Sequence, residues 1–125
     1  MPDQSATTAT DAYRWLDTAT ALEQLDDISI VRDMLAMVLG SLEGDLQAIA
    51  DYLLAGDVTG AQTLLHPLKG FLPIFCVQDL AVRLSAAEKA CKTGDVAGVT
   101  MLFNEVRPHL QQLADEIRHY LQTPV

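Results

Sequence analysis

The chain has 125 residues, half of them apolar and 20% charged, with aromatics at 6% and a formal net charge of −9. This length holds one domain with a single core, and its wealth of Leu, Ala, Asp and Glu favours helices over sheets. The acidic balance argues against nucleic acid or an anionic membrane as the main partner; it suits a partner with basic features, and serves solubility equally well.

Residues 1–10 are small and polar and lack the apolar core of a signal peptide, so the cytoplasm is the expected compartment. They read as a flexible lead-in, or as the edge of a linker from a larger protein, ahead of a domain at 11–125. No apolar run approaches the roughly 20 residues of a membrane span. The spacing of Tyr13, Trp15, Leu16, Ala19, Leu22 and Leu25 predicts a short amphipathic helix over 11–25, lying across the others.

Asp26-Asp27 offers an N-cap for a long helix whose stripe is Val31, Leu35, Val38, Leu42, Ile49 and Leu53, with Met34 and Leu46 filling in. Gly40 and Gly44 interrupt it and mark either a close helix contact, a bend or simple tolerance. Gly56-Asp57-Val58 and Gly94-Asp95-Val96 each suit a left-handed helix end followed by an Asp cap. They divide the chain into helices near 28–55, 58–75, 78–92 and 96–121. Short connections make sequential neighbours antiparallel. The predicted fold is all-α: an up-and-down antiparallel four-helix bundle with a short extra N-terminal helix.

The last helix buries Val99, Leu102, Phe103, Val106, Leu110, Leu113, Ile117 and Leu121, and Pro108 is expected to kink or split it. His109 and His119 stand ten apart, which is no metal-ligand spacing, and read as surface histidines. Cys76 and Cys91 form no CxxC or Cys/His motif and read as buried, reduced thiols.

The stretch Leu65-His66-Pro67-Leu68-Lys69-Gly70 carries the chemistry. At about 100° per residue, Ala61, Leu64, Leu65, Leu68, Leu72 and Phe75 share an apolar stripe. Gln62, His66, Lys69, Gly70 and Pro73 fall on another sector. An imidazole is therefore expected to stand outward, with an ammonium one turn along and a residue without a side chain beside it, an arrangement that could seat a phosphoryl group. On the following helix Glu88 falls within the stripe of Val77, Leu80, Leu84 and Cys91. An inward carboxylate needs a hydrogen-bond partner. The His66 ring is one, and the bond would fix its tautomer; the alternatives are a Glu88 that reaches the rim or pairs with Lys92. Pro67 and Pro73 remove backbone donors and crowd the carbonyls of Thr63 and Lys69, so a kink or break is expected there.

His66-Pro67-Leu68-Lys69-Gly70 resembles the His-x-Leu-Lys-Gly motif of the histidine-containing phosphotransfer (HPt) domain family, in a helical chain of matching length, helix order and hinges. The likeness extends over most of the chain, including Ala86-Ala87-Glu88-Lys89-Ala90. It implies a phosphocarrier in a multistep phosphorelay: a monomer that takes a phosphoryl group from a receiver-domain aspartyl-phosphate and passes it to another receiver's aspartate. It implies His66 as phosphoacceptor through Nε2, Lys69 as the charge that offsets the phosphoryl, and Glu88 as the residue that orients the ring. Gly70 would admit the receiver's loops, with Gln62, Phe71 and Lys92 in supporting or docking roles. The partners would be receiver domains of a hybrid sensor kinase or a response regulator. No cofactor is expected in this chain, and magnesium would belong to the receiver. The sequence has no glycine-rich phosphate loop or kinase motif, so the domain is not expected to phosphorylate itself.

Phe71 and Leu72 depart from the family's small residues after the Gly, and Cys76 from its further Gly ten positions after the His; Phe71 makes a greasier docking surface. Phe71, Pro67, Pro73 and Cys76 motivate a second reading, a non-catalytic docking module that binds a receiver or kinase domain. A third reading, a metal- or haem-binding bundle, would use His66 with His109 or His119; the outward setting of His66 tells against it.

Overall fold

The two Gly-Asp hinges do what their residue types dictate. Gly56 and Gly94 sit at φ +76° and +74°, where a side chain is strained, and each ends one helical segment just before the next begins. The computed structural model describes residues 13–123; the expected lead-in at 1–10 and the first two residues of the expected front helix lie outside them. The described residues form five α-helices: α1 (Thr18–Leu25), α2 (Ile28–Leu54), α3 (Val58–Phe71), α4 (Gln78–Ala90) and α5 (Val96–Gln122). Short 3₁₀ turns follow α3 (Leu72–Ile74) and α4 (Cys91–Thr93).

Carboxylate caps start three of the helices. Asp17 Oδ1 accepts from Thr20 N–H at 3.0 Å, Asp27 Oδ1 from Ser29 N–H at 2.8 Å, and Asp57 Oδ1 from Gly60 N–H at 2.8 Å. Asp26 belongs to the end of α1, at φ 61°. The cap expected from Asp95 does not form with its side chain; instead Thr93 Oγ1 accepts its N–H at 3.3 Å.

The chain ahead of α1 departs from expectation. Tyr13–Asp17 is a non-helical strap, bent at Arg14 and Trp15. It is held by partners far away in sequence: Asp17 N–H donates to Phe75 C=O at 2.8 Å, Val77 N–H donates to Trp15 C=O at 2.9 Å, and Leu16 forms an antiparallel bridge with Cys76. Trp15 and Leu16 are buried, whereas Leu22 of α1 is 41% exposed, so the front element buries its strap more than its helix. Both prolines of the motif segment are accommodated. Pro67 lies within α3, and Pro73 opens the 3₁₀ turn, so the α-helix stops at Phe71 and not at 75. Pro108 does not split α5, which runs unbroken; Pro108 and Asn104, whose carbonyl it leaves free, both face solvent. Gly40 and Gly44 make no close helix contact, since a Cβ at either would meet nothing within 4 Å.

The predicted stripes form the core. Leu35, Leu42 and Ile49 of α2, Ala61 and Leu65 of α3, Leu80 and Leu84 of α4, and Val99, Leu110 and Ile117 of α5 are all fully buried. Each large side chain so placed contributes about 1.5–3 kcal/mol. Leu64, Leu102 and Leu121 are only half-buried, at the edges of their stripes. α2 packs on α3 and α5, and α4 packs on the same two helices, leaving the outer groove between α3 and α4 to present the candidate site.

Candidate functional site

The apolar stripe of α3 turns His66 outward: its side chain is 69% exposed, while Leu65 and Leu68 on either side are buried. Across the groove, Glu88 stands among the buried residues of α4 and is 2% exposed. A carboxylate there requires donors, and α3 supplies them. Gln62 Nε2 donates to Glu88 Oε2 at 3.1 Å, and Lys69 Nζ donates to Oε1 at 3.3 Å. His66 Nδ1 lies 3.5 Å from Oε2. That is longer than the usual 2.9–3.0 Å or so of an N–H···O bond, so the ring rests beside the carboxylate, which takes its bonds from Gln62 and Lys69.

This arrangement holds the Glu88 carboxyl below the usual carboxylate range. The Gln62 hydrogen bond is the main cause; burial opposes it, and the bond and charge of Lys69 and the more distant charge of Lys92 add to it. The group beside His66 is therefore an anion at neutral pH. Its electrostatic value to a positively charged ring is high because it is shielded from water.

The structure brings Gln62, His66, Lys69 and Glu88 together. Lys69 is half-buried and turned toward Glu88, whereas the sequence suggested a free ammonium for an incoming phosphoryl group. Gly70 is exposed, and a Cβ there would meet nothing within 4 Å, so the space at this position is open. Lys92 is exposed in the turn after α4 and makes no hydrogen bond to Glu88. Phe71 is half-buried and faces away from the cluster. With Met34, Met37, Val38 and Ser41 it lines a groove of about 360 Å³ between α2 and α3, in which Met37 is 75% exposed. Lys69, Lys89 and Lys92 are the only lysines of this acidic chain, and all three are bonded to Glu88 or close to it in sequence.

The remaining candidates sit apart. His109 is half-buried with its ring centroid 4.6 Å from that of Trp15, and His119 Nδ1 is 2.8 Å from Tyr13 Oη. Both touch the strap; His119 is exposed, as expected of a surface histidine, whereas His109 is half-buried. Among the described residues, no three His, Cys, Asp or Glu side chains gather as a metal site would need, and no helix is long and apolar enough to cross a membrane. Cys76 and Cys91 are both buried and free; burial, helped by the nearby Asp17 charge, pushes the Cys76 thiol up to about 12.

Sequence reasoning missed a second buried carboxylate. Glu116 on α5 is 9% exposed. Its Oε1 accepts the N–H groups of Trp15 and Leu16, both at 2.9 Å, and its Oε2 accepts Arg14 N–H at 3.0 Å and Gln112 Nε2 at 3.1 Å. Spacing gave little signal for it: at about 100° per residue Glu116 falls outside the apolar stripe of Leu113 and Ile117, whereas Glu88 falls beside Val77 and Leu84. No family model, curated protein or solved structure matches the chain.

Proposed function

We propose that the protein is a histidine phosphocarrier. It accepts a phosphoryl group on His66 from a receiver-domain aspartyl-phosphate and passes it to the aspartate of another receiver. In this reading the helices form an up-and-down antiparallel four-helix bundle with the strap and α1 in front, working in the cytoplasm as a monomer. The observation that carries it is the exposed His66 ring with Nδ1 3.5 Å from a carboxylate that is itself 2% exposed.

The chemistry follows from that pairing. With its proton on Nδ1, facing Glu88, the ring has its lone pair on Nε2, in solvent. That lone pair attacks phosphorus, the acyl-phosphate P–O bond breaks, and the receiver's aspartate leaves with the bonding electrons. The ring keeps the Nδ1 proton and becomes positive, which Glu88 stabilises; contacts of this kind are often long before the reaction and shorten during it. Return to a second receiver reverses each step. Lys69 and Lys92 offset the charge of the phosphoryl oxygens, Gly70 leaves room for the receiver's loops, and the magnesium ion comes with the receiver.

Incubation with a phosphorylated receiver tests this. Label should appear on the chain as an acid-labile, base-stable adduct that His66→Gln abolishes. Label transferred equally to the Gln variant overturns the assignment. The engagement of Lys69 by Glu88 favours a second reading, a non-catalytic docking module for a receiver or kinase domain. It requires receiver binding that survives in His66→Gln and no transfer in the unaltered protein.

A further inference from the structure

We infer that Gln62 is a positioning residue, whose side-chain amide fixes which Glu88 oxygen faces His66 and thereby sets the ring's tautomer. This rests on the phosphocarrier reading for its purpose, but not for its geometry. Glu88 has two oxygens and the structure gives them different work. Oε1 is taken by Lys69 at 3.3 Å, and Oε2 by Gln62 at 3.1 Å, with His66 Nδ1 3.5 Å from that same Oε2.

Gln62 lies one helical turn before His66, on the same sector of α3. Both residues therefore approach Glu88 from one side while Lys69, one turn beyond, approaches from the other. Were Lys69 the only donor, the carboxylate would be free to rotate and offer both oxygens to the ammonium, away from the ring. The amide of Gln62 prevents this. Its nitrogen is a donor at every pH, unlike an ionisable side chain, and it holds Oε2 within reach of Nδ1. The half-buried setting of Gln62 restricts competition from water. A ring kept in the Nδ1–H form has its free lone pair on the outward nitrogen, so an amide that never touches the phosphoryl group governs which nitrogen is reactive.

The test reads the tautomer directly. Imidazole ¹⁵N shifts of His66 are recorded in the full chain at a pH where the ring is neutral, for the unaltered protein, Gln62→Leu and Gln62→Lys. In the unaltered protein the Nδ1–H form should dominate. Gln62→Leu, close in size but without a donor, should give a mixture of tautomers. Gln62→Lys, which restores a donor, should return the Nδ1–H form. Phosphotransfer from a phosphorylated receiver should fall about tenfold in the Leu variant, the scale of one hydrogen bond to a charged group. Transfer should recover in the Lys variant. An unchanged tautomer in Gln62→Leu overturns the proposal, as does equal disruption in the Leu and Lys variants, which would make the residue a spacer. The ¹⁵N measurement needs no receiver. A shifted tautomer together with no transfer in any protein would sink the phosphocarrier and leave the positioning role standing.

Discussion

Replacing Glu116 with alanine should cost about 4 kcal/mol of folding stability, far more than most surface-helix substitutions. The loss is worked from its partners. Trp15 and Leu16 donate to Glu116 Oε1 and are 2% and 1% exposed, so their N–H groups have no water to turn to. A buried donor left unsatisfied costs about 1–3 kcal/mol, which for these two N–H groups brackets the expected loss. Arg14 is exposed and its N–H regains water, contributing little. Glu116→Gln retains one acceptor oxygen but turns an amide N–H₂ toward the strap, and should cost about half as much. Urea unfolding followed by two signals checks this, because Trp15 is the only tryptophan and reports the strap, while far-ultraviolet circular dichroism reports the helices. In the alanine variant the Trp15 transition should precede the helical one. Coincident transitions with a loss below about 0.5 kcal/mol would mean the strap is held by its side chains alone and refute the reasoning.

The pH dependence at the candidate site has a defined sign. Glu88 is held below its unfolded value of about 4.3, so its stabilising contribution is fully present above that value and fades as pH falls through the lower folded one. The stability difference between the unaltered protein and Glu88→Gln should therefore shrink as urea midpoints are taken from about pH 7 to about pH 3; a difference that does not change with pH contradicts it. Two glycines should respond in opposite directions in thermal melts. Gly40→Ala, in the exposed interior of α2 with nothing within 4 Å of the new Cβ, should stabilise by about 0.5–1 kcal/mol. Gly94→Ala, at φ +74°, should destabilise by about 1 kcal/mol; the same sign for both would refute the conformational argument.

The helical segments were legible because their signals are local. The Gly-Asp hinges, the stripe from Val31 to Leu53 and the inward Glu88 each follow from spacing within one element, and the outward face of His66 follows from the same plot. The strap was not legible for the opposite reason. Tyr13, Trp15 and Leu16 fit a helical pattern as well as a strap, and what decides between them is the strap's bonding to Phe75, Val77 and Glu116, 58–102 residues away. The contribution of Gln62 was likewise hidden, since which donor reaches a carboxylate across two helices depends on their separation and rotation. The split allowed for at Pro108 does not occur, because a proline's effect depends on whether the carbonyl it frees meets water, which sequence does not state.

The confinement of every lysine to the neighbourhood of Glu88 has a practical outcome. Side-chain acylation by an amine-directed reagent will mark this corner of the molecule and no other. A protein seated over His66 would shield the Lys69 ε-amine, which lies 3.3 Å from Glu88 Oε1, so mass-spectrometric footprinting can map occupancy of the groove without introducing a probe.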